Sequence, residues 1–232
     1  MHPTVAIAIW ATLFVATHLV ISSDSVRTRI IARVGEQPFR GIYSLVAIGT
    51  LIPLIMTFMR HKHAGPMLWY LRDSHTAHGV TWLLMFAALI LLVASLIKPN
   101  PGAIGARALT GDDRARGVQK LTRHPGFVAF SLFGFAHMLM NGWLGDVLFF
   151  GTFPALGILG GLHQDQRKLR ELGENYRRFV EQTSFFPGAA LISGRQQWTL
   201  ADVPWLAIAS GIVLGLILVY FHPYWFGGSP RG

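Results

Sequence analysis

The sequence predicts an all-α, polytopic membrane helical bundle with about six transmembrane helices and a cytoplasmic surface helix. The first reason is composition: 52% of the 232 residues are hydrophobic and only 13% are charged. A mean hydropathy of +0.43 is too high for a soluble domain of this size. The second reason is that the basic residues lie in short loops between apolar runs. The formal charge of +9 therefore does not indicate a nucleic-acid-binding face.

Six apolar runs are candidate spanning helices, because a helix needs about 20 apolar residues to cross a bilayer. They lie near residues 4–22, 41–59, 79–97, 126–141, 143–162 and 203–221. No Lys or Arg precedes the first run, so we expect it to remain as a membrane helix. The fourth run is short, and Asn141-Gly142 predicts a tight turn into the fifth. The fifth run is rich in glycine, including Gly157 and Gly161, which should let helix backbones approach closely.

The distribution of Lys and Arg predicts the orientation in the membrane. Of the 20 basic residues, 16 fall in the loops 23–40, 98–125 and 163–202. The positive-inside rule places these loops in the cytoplasm and both termini outside. We therefore expect a multi-pass protein of the bacterial inner membrane or an equivalent membrane.

We predict one integral membrane domain over residues 1–232, with a cytoplasmic helical extension at about 163–202. Within that extension, charged residues alternate at helical spacing, and an apolar stripe runs through Leu169, Leu172, Tyr176 and Phe179. This pattern is typical of a surface helix. We expect it to continue from the fifth spanning helix.

Histidine is the expected ligand type for any metal, because the chain has ten histidines and no cysteine. His18 lies near the cytoplasmic end of the first helix, and His78 begins the third helix from the outside. His137 lies about four residues from the outer end of the fourth helix, inside an apolar run. An ionisable group at such a depth needs a partner and indicates a functional site. His137 is therefore the strongest candidate for a ligand or catalytic residue.

His124 must have a different role from His137. Their separation of thirteen positions corresponds to about 20 Å along a regular helix, so the two imidazoles cannot share one metal. Pro125 can open a helix. We therefore expect Arg123 and His124 at the cytoplasmic interface, facing an anionic group. The alternative is that they are only a basic flank that sets the orientation.

Six motifs, taken in order, resemble the NnrU proteins together with the plant and cyanobacterial 15-cis-zeta-carotene isomerases. They are His18 followed by SSDSVRTR, FRGIYSL at 39–45, HKHAGPMLW at 61–69, LTRHP at 121–125, FAHMLMNG at 135–142, and QTSFFPGAALISGRQ at 182–196. Their order and spacing carry the resemblance, since each motif alone has low specificity.

The resemblance implies a polytopic membrane protein that binds haem b through axial His18 and His137. It also implies cis-trans isomerisation of a carotenoid, a polyene like 15-cis-zeta-carotene, through reduced haem iron. Such a protein requires an electron donor and a lipid-soluble substrate that enters from the lipid bilayer. Depth in the predicted topology instead favours His78 as the partner of His137, so His18, His78 and His137 all stay candidate ligands. Arg123 and His124 would hold the haem propionates if the haem lies on the cytoplasmic side.

Two other functions stay open. The NnrU resemblance also allows a non-catalytic haem protein linked to nitric oxide and denitrification metabolism. In addition, TRHP, the helical hairpin and Asp165 resemble the C-terminal half of membrane methyltransferases that hold S-adenosylmethionine. In that group an acidic pair contributes to the cofactor site, whereas here the pair is Asp165-Gln166.

Overall fold

The computed structural model describes residues 2–97 and 114–227, which form a helical bundle without a β-strand in those two ranges. The first part of the predicted basic loop 98–125 therefore lies outside the described residues, as does Arg231. The α-helices in chain order are α1 (Pro3–Ser22), α2 (Asp24–Val34), α3 (Glu36–Arg60), α4 (His75–Ile97), α5 (Val118–Leu121), α6 (Pro125–Met140), α7 (Leu144–Phe150), α8 (Thr152–Leu172), α9 (Glu174–Gln182), α10 (Ala189–Ile192) and α11 (Trp205–Phe226).

Within residues 2–97 and 114–227, five helical segments are long and apolar enough to cross a membrane. They are α1, α3, α4, α11 and the segment Leu144–Leu172, which contains α7 and α8. The sixth predicted span is α6, an apolar helix of 16 residues that is shorter than the others. These helices confirm the predicted all-α polytopic bundle. The second span begins earlier than predicted, at Glu36, because polar residues also form its first turn.

The bundle has two ends, which we name after residues that lie there. At the Trp69 end, the Leu68 N–H donates to the Gly142 carbonyl over 2.7 Å, and the α6–α7 turn packs against Trp69. A Cβ atom on Gly142 would lie 2.0 Å from the Trp69 carbonyl oxygen, so only glycine fits there. At the Asp165 end, Ser22 Oγ of α1 lies 3.4 Å from His163 Nδ1 of α8. The tight turn predicted at Asn141-Gly142 is confirmed.

The helices α6 and α8 pack so closely that glycine is required between them. A Cβ atom on Gly157 would lie 2.5 Å from the Phe127 carbonyl oxygen and 2.1 Å from Ser131 Oγ. A Cβ atom on Gly161 would lie 2.6 Å from the Phe185 ring. These distances confirm that glycines of the fifth predicted span serve close packing.

The predicted apolar stripe of the extension is buried, but it is carried by two helices. Tyr176 and Phe179 are at most 1% exposed, and Leu169 and Leu172 pack against them. Gly173, with φ of +56°, lies between α8 and α9. Glycine tolerates this left-handed conformation, so the chain changes direction there instead of continuing as one helix.

Candidate functional site

The His137 imidazole is held in one orientation by its neighbours. Its ring is stacked on Phe150, with centroids 4.5 Å apart, and lies 4.2 Å from the Phe133 ring. Its Nδ1 lies 2.9 Å from the Phe133 carbonyl oxygen, one helical turn earlier. This contact assigns the proton to Nδ1 and leaves the Nε2 lone pair available to a metal.

The other two candidate ligands have the same hydrogen bond. His18 Nδ1 lies 2.6 Å from the Phe14 carbonyl oxygen, and His78 Nδ1 lies 3.1 Å from the Ser74 carbonyl oxygen. A histidine that ligates a metal through Nε2 usually donates its other N–H to a carbonyl or carboxylate, which orients the ring. The donor chemistry of each ring therefore fits an axial haem ligand.

His18 and His137 lie at different depths in the bundle. The His137 ring stacks on Phe150, whereas the end of α1, where His18 lies, contacts His163. A rise of about 1.5 Å per residue separates Phe150 from His163 by roughly 20 Å. On α1, His18 lies four residues before Ser22, which contacts His163. The His18 backbone is therefore roughly 6 Å closer to the Trp69 end than Ser22 is. The backbones of His18 and His137 therefore differ in depth by about 13 Å, but each ring leans toward the preceding turn of its helix, and the two antiparallel helices thereby bring the rings closer in depth.

The His78 backbone is closer to that of His137 in depth. Met85 of α4 and Phe133 of α6 line the same cavity between these helices. His78 lies about 10 Å from Met85 toward the Trp69 end, and His137 lies about 6 Å from Phe133 in the same direction. Imidazole nitrogens that share one metal ion each lie about 2 Å from it. The His78 ring leans toward the Trp69 end and the His137 ring leans away from it, so depth does not decide between His78 and His18, and the partner of His137 stays a prediction.

An aromatic cluster connects the His18 and His137 regions. His18 contacts Phe14, with ring centroids 4.4 Å apart, and Phe14 belongs to the same buried cluster as Phe150. Phe149 in this cluster stacks on Phe58 at 4.0 Å. The two candidate ligands therefore border the same aromatic cluster.

The Asp165 carboxylate lies at the centre of a buried polar cluster at its end of the bundle. Its Oδ2 accepts two hydrogen bonds from Arg123, from Nε at 2.8 Å and Nη2 at 2.7 Å. Its Oδ1 accepts from His124 Nε2 at 2.8 Å and from the Tyr176 hydroxyl at 2.7 Å. The His124 side chain is fully buried, and its Nδ1 has no hydrogen-bond partner among the described residues.

Two roles are predicted from the sequence for Arg123 and His124, which are to face an anionic group or to serve only as a basic flank. The anionic group that both residues face is Asp165 of the same chain, 42 and 41 residues away. His124 precedes α6 as its N-cap residue, and Pro125 opens the helix as predicted. A haem propionate, or S-adenosylmethionine, would have to compete with these contacts. Roles for Arg123 and His124 in cofactor binding stay predictions.

The Tyr176 hydroxyl donates the remaining hydrogen bond of the Asp165 cluster. Burial, and then the neighbouring Asp165 carboxylate, raise the pKa of the Tyr176 phenol well above its ordinary value. The phenol therefore keeps its proton at physiological pH and donates it to Asp165 Oδ1. This contact ties α9 to α8, and Arg123 and His124 tie the start of α6 to the same carboxylate.

A second carboxylate, Asp202, anchors the segment before α11. Its Oδ2 accepts from Lys120 Nζ at 2.8 Å and from the Thr199 hydroxyl at 2.7 Å, and its Oδ1 accepts from the Gly117 N–H at 3.2 Å. The hydrogen bond from Lys120, and then those from Thr199 and Gly117, hold the pKa of Asp202 well below its ordinary value.

We expect Asp202 to make folding stability depend on acidic pH. Because its pKa is lower in the folded state, its stabilisation is present above the unfolded pKa of about 3.9 and is lost as pH falls toward the folded value. Thermal unfolding in detergent between pH 6 and pH 2 should show a steeper acid loss of stability for the wild type than for Asp202→Asn. Lys120→Gln should also flatten this loss, and equal acid slopes in all three proteins would contradict the assignment.

The Trp69 end holds a His–Asp pair that the sequence did not indicate. His63 Nδ1 lies 2.9 Å from Asp146 Oδ2, and the Asp146 side chain is 1% exposed. Among the described residues other than glycine, only His63 has a positive φ, at +58°. The HKH motif at 61–63 was visible, but its carboxylate partner is 83 residues away. Among the described residues, no group of three or more His, Cys, Asp or Glu side chains could hold a metal ion.

Comparison with known proteins identifies the family. The model of the NnrU protein family matches residues 5–230. The chain is 26% identical over 216 residues to a protein named 15-cis-zeta-carotene isomerase, chloroplastic, of Arabidopsis thaliana, covering 85% of this chain and 54% of the relative. It is 25% identical over 173 residues to the Zea mays protein of the same name, covering 71% of this chain and 44% of the relative.

The chain thus spans about half the length of the curated relatives it matches. No solved structure matches it significantly. The family match covers nearly the whole sequence, including most of α1, all of α4 and α6, and every histidine discussed above. The chain therefore belongs to the NnrU protein family.

Proposed function

We propose that this protein binds haem b through His137 and isomerises a cis double bond of a carotenoid-like polyene. The observation that carries the proposal is the His137 imidazole, with its Nδ1 at 2.9 Å from the Phe133 carbonyl oxygen and its ring against two phenylalanines. The names of the two curated relatives supply the reaction and the substrate class.

The residues around His137 are suited to hold an axial ligand. A hydrogen bond from Nδ1–H to a carbonyl orients the ring and increases the basicity of Nε2. Phe133 and Phe150 fix the ring plane and keep water away from it. Reduced haem iron held at His137 would supply a centre that polarises a conjugated double bond. His78 or His18 would be the second protein ligand, and an external electron donor would keep the iron reduced.

The apolar helices support a lipid-soluble substrate. A polyene has no polar handle and dissolves in the bilayer, so it can reach the protein laterally from the membrane. The three loops that hold 16 of the 20 basic residues lead us to propose that the Asp165 end faces the cytoplasm.

Two measurements test the proposal. The full-length protein, purified in detergent from haem-replete cells, should show a Soret band that shifts on reduction with dithionite. Expression in a carotenoid-producing bacterium that lacks its own isomerase should change the ratio of cis to trans pigments, resolved by liquid chromatography. Colourless protein would contradict haem binding, and an unchanged pigment ratio would contradict the isomerase activity on that substrate.

Variants of the two possible partner histidines then assign the second ligand. We expect either His78→Ala or His18→Ala to change the reduced spectrum, while the other variant leaves it unchanged. Electron paramagnetic resonance of the oxidised protein provides an independent readout, since loss of one of two axial imidazoles changes the iron spin state. No change with either variant would indicate that His137 is the sole protein ligand.

A further inference from the structure

An apolar groove of about 220 Å³ lies between α4 and α6. None of the described side chains that line it is polar. They are Met85, Ala88, Leu89, Leu92, Ala129, Phe130, Phe133 and Phe153. The groove is therefore suited to a hydrocarbon and unsuited to any ligand that needs a hydrogen bond.

The groove lies at mid-depth and at the lipid-facing surface of the bundle. Its lining residues on α4 and α6 come from the middle of these helices, away from both ends. Phe130, at the groove, is 47% exposed. In a membrane that exposed surface faces acyl chains, so a molecule dissolved in the bilayer can enter the groove without crossing water.

Phe133 connects the groove to the candidate haem ligand. Phe133 lines the groove, and its ring centroid lies 4.2 Å from that of the His137 ring. Phe153 also lines the groove and contacts Phe133 edge to face at 4.9 Å. A chain lying in the groove would thus be separated from His137 by a single aromatic side chain.

We propose that this groove binds a segment of the conjugated chain of the substrate and directs it toward His137. A volume of about 220 Å³ is smaller than the roughly 300–1,000 Å³ of pockets that enclose a whole small molecule. It therefore holds part of a long chain, while the remainder stays in the lipid. The rings of Phe130, Phe133 and Phe153 distinguish a flat polyene from a saturated chain, because aromatic faces stack on conjugated systems. This inference rests on the proposed function.

Binding of a fluorescent polyene tests the groove without requiring haem or turnover. The probe is the methyl ester of trans-parinaric acid, a conjugated tetraene, added to the full-length protein in nanodiscs of saturated lipid. Energy transfer from tryptophan reports its binding. We expect Phe130→Ala to weaken binding by about two- to tenfold, the loss that removal of one aromatic contact produces. Phe130 is largely exposed, so this variant should still fold.

A matched control lies on the same helix. Phe135 is 44% exposed but does not line the groove, and Phe135→Ala should bind the probe like the wild type. A second pair of variants fills the groove instead of opening it. Ala88→Leu should weaken binding, whereas Ala87→Leu, at the neighbouring position outside the lining, should not.

The possible outcomes distinguish failure of the groove assignment from failure of the proposed isomerase function. Equal binding by the Phe130→Ala and Phe135→Ala proteins would overturn the groove assignment. Displacement of half of the bound probe by an equal concentration of methyl stearate would also overturn it, because the groove would then be an ordinary acyl-chain site. Binding that depends on Phe130 in a protein without isomerase activity would support the groove and contradict the proposed function. Pigment isomerisation that is unaffected by Phe130→Ala and Ala88→Leu would support the proposed function and contradict the groove assignment.

Discussion

Replacing His137 with alanine should abolish the Soret absorbance of the purified protein. The imidazole is held by a 2.9 Å hydrogen-bond contact with the Phe133 carbonyl and by stacking on Phe150, so no other side chain can take its position without repacking. The expected loss is at least tenfold in haem per protein, since an axial protein ligand supplies much of the affinity for the iron. Absorbance at the Soret maximum, relative to protein concentration, measures it.

A control for this experiment is His163→Ala. His163 lies on α8 at the Asp165 end, where its contact is Ser22 at 3.4 Å, and it should retain the full haem content. Exogenous imidazole should restore part of the band to the His137→Ala protein, because the substitution removes the ring from a site with aromatic walls. A His137→Ala protein that retains an unchanged Soret band would show that another residue holds the iron.

Asp165→Asn should lower the free energy of unfolding by about 3–5 kcal/mol, the range for removing one partner of a buried ion pair. The carboxylate is 9% exposed and accepts hydrogen bonds from Arg123, His124 and Tyr176. Asparagine retains the shape but loses the charge that compensates the Arg123 guanidinium, whose side chain is 11% exposed. The shift of the thermal unfolding midpoint in detergent measures the effect.

Glu174→Gln provides the matched control. Glu174 also contacts two arginines, Arg177 at 3.5 Å and Arg178 at 3.6 Å, but its side chain is 62% exposed. Exposed ion pairs contribute at most about 1 kcal/mol. Equal shifts for Asp165→Asn and Glu174→Gln would mean that the Asp165 cluster does not hold α6, α8 and α9 together.

The Asp165→Asn variant also shows whether the Asp165 cluster serves folding stability alone or haem binding as well. If Arg123 and His124 serve only to anchor α6 through Asp165, then Asp165→Asn should lower the unfolding midpoint while the haem content of the folded protein stays the same. A parallel loss of haem would favour the predicted role of Arg123 and His124 in holding the propionates. The ratio of the Soret absorbance to folded protein distinguishes these two results.

The sequence was sufficient to predict the elements that depend on local chemistry. Apolar runs of about 20 residues become helices because a bilayer leaves no other way to satisfy the backbone. Pro125 opened α6 and Asn141-Gly142 formed the turn because these residues restrict or permit the necessary backbone angles. The glycines of α8 and the apolar stripe of the extension were also visible as patterns.

Contacts between helices required the tertiary structure. Asp165 meets Arg123 across 42 residues, and His63 meets Asp146 across 83. No sequence pattern specifies such pairs, because the spanning helices are apolar on all sides and their periodicity does not show which face points inward. For the same reason the groove between α4 and α6, and the depths of His18 and His78 relative to His137, became visible only in the folded chain.

Membrane insertion is thus determined by the composition of each segment, whereas the candidate site is determined by how the segments rotate against one another. The sequence alone identified His137 as an imidazole within an apolar run, since its depth in the membrane follows from its position along one helix. Its hydrogen bond to Phe133 joins residues one turn apart and follows from helix geometry. Its stacking on Phe150 depends on where α7 packs against α6, and tertiary packing alone decided that contact.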